Sequence, residues 1–307
     1  MTKKIQSNLH YFKVSQESPE KLLDEFYIFD EKNPALGKYI AHIKEVKHLL
    51  ITIKTLKEKQ EKQSIIDKYF YSLQEILGDF SNCSEFICFA NACDSILSAV
   101  KADINLLKKI SERYFVKRVI NEIVPEEWVQ AILDNNASRK KGKCGEKKLI
   151  SILKQIGFIE VKSWEDFFGT KNCIASFSKK FNLKNVRQNL KANIKTKKQN
   201  KTLDLIIKAK NKIFLLEAKH LNTSGGGQDK QISELIEIIS LKERNEDIFF
   251  ISFLDGSYAN VILNKKGGSE KLETQRAEIQ KHLTHNPRNF WLNTASFKDL
   301  FSDLTSK

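Results

Sequence analysis

The feature that most constrains this chain is a pair of apolar runs, residues 202–208 (TLDLIIK) and 212–219 (KIFLLEAK), split only by Ala209, Lys210 and Asn211. Two Leu- and Ile-rich runs with so short a polar break fold back on each other as a β-hairpin. A lone hairpin is marginal in water, so this one needs a sheet around it and helices over it. The neighbouring sequence offers both. Leu149, Ile152, Leu153 and Ile156 form an i, i+3, i+4, i+7 stripe, closed by Gly157 as a helix C-cap. Residues 158–162 are a short strand candidate. A Ser/Gly loop over 222–227 leads to a helix from about Gln228, with Ile232, Leu235, Ile236 and Ile239 on one face. Residues 247–254 (DIFFISFL) read as a strongly apolar strand ending at the turn signal Asp255-Gly256. Thr294 or Ser296 then caps a last helix that turns Phe297, Leu300, Phe301 and Leu304 inward. This alternation defines an α/β domain, a sheet flanked by helices.

The first 137 residues read differently. They contain only Gly37 and Gly78 of the 12 glycines. Their apolar residues recur at helical spacing: Ile40, Ile43, Val46, Leu49, Leu50 and Ile53, then Ile65, Ile66, Tyr69, Phe70, Leu73 and Ile76. Residues 86–107 and 114–133 continue in that manner, and Pro125 fits the first turn of a helix. The polar, basic stretch 135–142 (NNASRKKG) is a plausible linker. The expected division is therefore an all-α region over 1–137 and an α/β domain over 138–307. A chain of 307 residues is long enough for two such cores.

No stretch approaches the ~20 apolar residues that span a bilayer, and the basic N-terminus lacks an apolar leader segment. The expectation is a soluble cytoplasmic protein with no membrane partner. Five cysteines, an odd number, argue against a disulfide framework. Cys83, Cys88 and Cys93 recur every five residues without a nearby His, which is not zinc spacing; small buried side chains are the simpler reading.

The formal net charge is +14, and its location matters more than its size. Residues 138–201 hold 18 Lys and Arg against 4 Asp and Glu, while the rest of the chain balances. A solvated Lys-rich surface is one reading. A surface facing phosphates explains the clustering better, because polyanions attract such patches over long range. Arg139, Lys140, Lys141, Lys179, Lys180, Arg187, Lys195, Lys197 and Lys198 are the candidate phosphate contacts, by charge alone.

The hairpin also carries the chemistry. Side chains alternate along a strand, so Glu217 and Lys219 face the same way, while Ala218 points to the other face and leaves its carbonyl available. Asp204 lies on the paired strand, which brings two carboxylates within reach of one cation. Mg²⁺ takes oxygen ligands, usually one or two carboxylates with waters and substrate phosphate, and lowers the pKa of a bound water. Asp204, Glu217 and the Ala218 carbonyl are the candidate ligands. Lys219 would orient or help deprotonate the water and offset phosphate charge. The E-x-K pattern itself recurs at Glu45/Lys47, Glu146/Lys148 and Glu160/Lys162. Only Glu217/Lys219 ends an apolar strand, follows an Asp on a paired strand, and precedes a Gly-rich loop and helix. The plain alternative is strand-end charges paired with lysines. Glu146 lies on the inward face of its helix, three residues before Leu149; it either joins the two carboxylates or serves as a first-turn carboxylate. The loop NTSGGG at 222–227 is either a place for close DNA approach or a flexible connection, and Gln228 is a candidate DNA contact on the following helix.

Residues 141–304 resemble type II restriction endonucleases of the PD-(D/E)xK superfamily, in particular Dpn/Mbo-type enzymes that cut at GATC. The pieces occur in order: Lys141, Gly142 and Glu146 as K-G-x-x-x-E, the helix ending at Gly157-Phe158, LDLIIKAKNKIFLLEAK, NTSGGG, and FFISFLDG at 249–256. Leu203 stands where the namesake motif has Pro, a change that leaves the chemistry untouched. The resemblance implies a restriction-endonuclease-like core with a central mixed sheet. It also implies Asp204, Glu217 and Lys219 as the catalytic set, a Mg²⁺ requirement, and a prokaryotic cytoplasmic setting with a cognate DNA methyltransferase. It does not reach the N-terminal helical region, whose expected part is DNA recognition or dimerisation. A homodimer would put one active site on each strand of a palindromic site in double-stranded DNA. The alternatives are a repair or junction-resolving nuclease on the same core and a non-catalytic DNA-binding protein.

Overall fold

The hairpin forms the middle of a six-stranded sheet in the computed structural model of the chain, which describes residues 5–28, 31–135, 138–195, 203–223, 225–264 and 267–306. In chain order the described elements begin with α1 (Asn8–Glu17), α2 (Leu36–Glu58), α3 (Gln63–Ile76), α4 (Glu85–Ala92), α5 (Leu97–Ala102), α6 (Ile104–Lys117) and α7 (Glu126–Asn135). Then follow α8 (Ser138–Gln155), β1 (Ile159–Glu160), α9 (Trp164–Gly169), β2 (Asn172–Ser176), α10 (Leu183–Leu190), β3 (Leu205–Ala209) and β4 (Lys212–His220). The chain finishes with α11 (Gly226–Ser240), β5 (Ile248–Asp255), α12 (Ser257–Leu263), α13 (Glu270–His285), β6 (Asn289–Leu292) and α14 (Thr294–Thr305).

These elements form two compact units, Phe29–Ser138 and the combination of Met1–Ile28 with Arg139–Lys307. The first is all-helical. Val46, Leu50 and Ile53 of α2 pack against Ile66, Phe70 and Leu73 of α3, with Phe86, Leu107 and Tyr114 from α4 and α6 closing its main core. Side-chain caps start two of these helices: Ser84 accepts from the Ile87 amide, and Asp103 accepts from the amides of Asn105 and Leu106. The first 28 residues, grouped with the helical region in the sequence reading, are part of the second unit.

That second unit is α/β. Its strands lie in sequence order, with β2–β3 and β3–β4 antiparallel and the other three pairs parallel, which makes the sheet mixed. Alternation along the strands builds a core on each face. Leu205, Ile207, Leu216, Ile251 and Phe253 pack against Leu149, Ile152 and Leu153 of α8 and Phe297 and Phe301 of α14. On the opposite face Ile206, Leu215 and Phe250 meet Val186 and Leu190 of α10, and Leu254 and Trp291 meet Ile232, Leu235 and Ile239 of α11. Every residue of β5 is buried, as a strand covered on both faces must be.

Local chemistry explains where elements end. Gly157 adopts φ 91° after α8; its amide bonds the Lys154 carbonyl and the Phe158 amide bonds the Leu153 carbonyl, the pair of bonds that closes a helix on a left-handed glycine. The β3–β4 connection has only two residues, Lys210 and Asn211, because Ala209 pairs with Lys212; Lys210 takes the left-handed conformation at φ 56°.

Several boundaries differ from the sequence reading. The expected linker is helical from Ser138, where α8 begins. The strand expected over 158–162 pairs only at Ile159 and Glu160. The cap of α14 is Asn293, whose side chain accepts from the Ser296 amide, rather than Thr294 or Ser296. Cys83 is buried, but Cys88 is exposed and Cys93 half-buried, so the regular spacing does not mark one buried face. Among the described residues no helix is long and apolar enough to cross a membrane.

Candidate active site

The site lies where β4 outruns its antiparallel neighbour. The β3–β4 ladder stops at Leu205–Leu216, while β4 continues beside β5 to the His220–Asp255 pair. Asp204 sits just before β3. Its amide bonds the Leu216 carbonyl at 2.9 Å, and its Oδ2 accepts the Ala218 amide at 2.7 Å. This places the Asp204 carboxylate beside the Glu217–Lys219 stretch. Glu217 is buried at 3 % exposure. Its Oε1 accepts from Lys219 Nζ at 2.6 Å, and its Oε2 is buried with no hydrogen-bond partner among the described residues. A second carboxylate, Glu234 of α11, lies 3.8 Å from Lys219 Nζ.

Electrostatics separate the three groups. Burial, then the Glu217 charge, push Asp204 up to about 7, with Glu146 adding to the rise and the Ala218 amide and Lys219 opposing it. Burial works against the charge of Lys219, yet the charge and hydrogen bond of Glu217, with Asp204 and Glu234, outweigh it and hold the ammonium above its ordinary value. That direction keeps Lys219 protonated, a positive charge beside the two carboxylates. Glu146 is half-buried and raised by burial against the influence of Lys143. It lies in the third turn of α8, well inside the helix, so the reading of it as a first-turn carboxylate does not hold.

Among the described residues no three His, Cys, Asp or Glu side chains gather into a ready metal cage. Mg²⁺ does not need one, since it commonly uses one or two carboxylates with waters and phosphate. The fit at this site rests on the orphaned Glu217 Oε2. A buried carboxylate oxygen with no donor is costly unless a cation takes it, and Asp204 beside it is disfavoured as an anion for the same reason.

The other residues picked from the sequence are dispersed. Lys179 and Lys180, in the β2–α10 loop, and Lys195 are exposed. Arg187 donates from Nε and Nη2 to the Ile194 carbonyl at 3.0 and 2.8 Å, so its guanidinium is engaged in tying down the chain after α10. Arg139, Lys140 and Lys141 fall on the first turns of α8, with their side chains outside the described residues, and Lys197 and Lys198 lie outside them altogether. Gln228 is half-buried in the first turn of α11, its Oε1 folded over Gly225.

A second polar cluster stands behind the end of β4 and was not anticipated. His220 Nδ1 bonds Asp255 Oδ1 at 2.9 Å. Asp255 Oδ2 accepts from Tyr27 OH at 2.7 Å and Lys148 Nζ at 3.0 Å. Lys148 also reaches Asp24 at 2.6 Å and Glu20 at 3.6 Å. The Tyr27 ring stacks on His220, centroids 3.7 Å apart. Burial raises Asp255, but His220, Lys148 and Tyr27 together bring it below the usual carboxylate range. These residues span 228 positions of sequence between Tyr27 and Asp255, and nothing local marks them as neighbours. The one usable signal was Lys148, a cation one residue before the apolar stripe of α8.

The central strand of the α/β sheet thus ends in a buried acid and a lysine, with an aspartate beside them. The family model of the DpnII restriction endonuclease matches residues 4–265, and the chain belongs to that family. It is a restriction endonuclease, a hydrolase whose substrate is DNA. The match runs through the helical unit, which the resemblance read over 141–304 did not reach. No curated protein and no solved structure matches the chain.

Proposed function

We propose that the protein is a type II enzyme that hydrolyses phosphodiester bonds at a specific site in double-stranded DNA, with Mg²⁺ as cofactor. The observation that carries this reading is Glu217: one carboxylate oxygen bound by Lys219, the other buried with no partner, next to an aspartate that resists ionisation. Asp204 and Glu217 would hold the metal, with the Ala218 carbonyl completing the protein's share. Bound there, Mg²⁺ supplies a Lewis acid that lowers the pKa of water and offsets phosphate charge.

The chain's own residues do the rest. Glu217 Oε1 and Glu234 keep the Lys219 ammonium in one orientation, so a positive charge waits where a scissile phosphate would gain negative charge. Glu146 adds negative potential at Asp204 and so increases the preference of the pair for a cation. Exposed Lys179, Lys180 and Lys195 are suited to backbone phosphates. The enzyme would act as a homodimer, one site per strand, beside a methyltransferase that protects host DNA.

The test is digestion of a sequenced plasmid, in methylated and unmethylated forms, with Mg²⁺ or EDTA, by wild type and Glu217→Ala. Discrete fragments that need Mg²⁺ and vanish in the variant support the proposal. Mg²⁺-independent cutting, or an active Glu217→Ala, would sink it. A smear would point to a nuclease of low specificity, and tight binding with no cutting of either DNA to a non-catalytic role.

A further inference from the structure

Among the described residues the last four of β4, Glu217 to His220, carry the proposed chemistry yet have a strand neighbour on one side only. On the β3 side the ladder ends at Leu216, and beyond it the Ala218 amide bonds the Asp204 side chain. On the β5 side pairing continues to His220–Asp255, and the Leu221 amide bonds the Asp255 carbonyl at 3.0 Å. A strand end supported on one edge frays unless something else fixes it. Here the side chain of its final residue is fixed.

We infer that His220 is a positioning residue for cleavage: clamped by Asp255 and Tyr27, it sets the backbone of the β4 terminus and with it the place of Lys219. This rests on the nuclease reading above. The clamp has three parts. Asp255 receives three donors, from His220, Tyr27 and Lys148, which leaves its carboxylate no freedom to turn. Tyr27 covers the imidazole face. Helix α8 in turn packs against Tyr27 so closely that a Cβ at Gly145 would lie 3.0 Å from the tyrosine hydroxyl.

Stability alone is a poor account of this cluster. Among the described residues His220 Nε2 is buried with no partner, and Lys148 with its carboxylates is taken out of water at a desolvation cost that apolar side chains of the same volume would avoid. That cost points to a role for the network in fixing geometry. Its output is the adjacent residue: side chains alternate, so a fixed His220 on one face fixes the backbone from which Lys219 leaves on the other. There Lys219 meets Glu217 and Glu234. A catalytic charge displaced by about 1 Å costs on the order of 10²-fold in rate.

The experiment compares wild type, His220→Ala, His220→Asn and Tyr27→Phe on duplex DNA. Single-turnover cleavage is measured in Mg²⁺, DNA affinity in Ca²⁺, and folding by thermal melting. His220→Ala is expected to slow cleavage roughly 10- to 100-fold with DNA affinity within about two-fold of wild type. Asn can still donate a side-chain N–H to Asp255 and should recover most of the rate. Tyr27→Phe keeps the stacked ring, loses one donor to Asp255, and should fall between. A folded His220→Ala that cuts at the wild-type rate overturns the inference. So does a loss of affinity equal to the loss of rate, or an Asn variant no better than Ala. Should His220→Ala fail to fold, a wild-type rate in Tyr27→Phe overturns it instead. Wild type that fails to cut any DNA refutes the nuclease reading itself; wild type that cuts alongside a fully active His220→Ala refutes only the role of His220.

Discussion

Asp204→Asn should make the metal-free protein more stable while abolishing cleavage. In the folded chain burial and Glu217 hold Asp204 near 7, against an ordinary value near 4. The folded state therefore binds more protons than the unfolded state between about pH 4 and 7, and this group makes wild-type stability fall as pH rises through that window. At pH 8 the ionised side chain carries at most ~4 kcal/mol of unfavourable free energy. Side-chain relaxation and water around a half-buried group reduce this, so the expected gain on replacement is roughly 1–3 kcal/mol. Asparagine suits the comparison because its Oδ1 can still accept the Ala218 amide. The assay is urea or thermal unfolding in EDTA at pH 5 and pH 8. The variant's advantage should be largest at pH 8 and small at pH 5. Added Mg²⁺ should narrow the gap: at 10 mM, with a dissociation constant on the order of 1 mM, it stabilises wild type by about 1.4 kcal/mol and the variant by much less. Equal stability of the two proteins at pH 8, or equal stabilisation by Mg²⁺, would refute the reasoning.

Lys219→Ala should lower cleavage by about 10²- to 10³-fold with little change in DNA affinity, measured by single-turnover kinetics and gel shift, because the proposed mechanism sets its charge against the reacting phosphate. Lys179→Ala and Lys180→Ala should each reduce the slope of log affinity against log salt by about 1, and an unchanged slope would remove those residues from the DNA contact. Gly256→Ala should destabilise by about 2 kcal/mol or more in urea unfolding, since φ is 87° and a Cβ would sit within 3 Å of the Leu221 carbonyl and Asn222.

What could be read from sequence was whatever the chain encodes locally. The hairpin, β5 and the inward stripe of α8 were legible because each is a run or a period of apolar residues, and Gly157 because helix ends need a left-handed residue. Asp204, Glu217 and Lys219 came out as neighbours because one short turn relates them. Strand β2 was missed: its five residues, NCIAS, offer one aliphatic side chain larger than Ala. Helix α13 was missed because only Leu272, Ile279 and Leu283, with Gln275, turn inward, too thin a stripe to stand out among its charges. The His220 cluster was illegible for a different reason. Each member has an ordinary local role, and only the packing of residues 20–27 against α8 and the end of β5 shows what they form together.

The α/β unit is discontinuous in sequence, and that affects how the enzyme comes into being. Asn8 of α1 donates to the carbonyls of Leu283, Asn286 and Asn289, and Ser15 meets Ser296 at the start of α14. Helix α1 therefore finds its partners 275 to 281 positions further along the chain, contacts of the long-range, slow-forming kind. On the ribosome the helical unit can fold while α1 waits, and the sheet cannot close until β6 and α14 have emerged. A chain extended only as far as β5 thus lacks a finished α/β unit, because α1 still has no β6 or α14 to pack on.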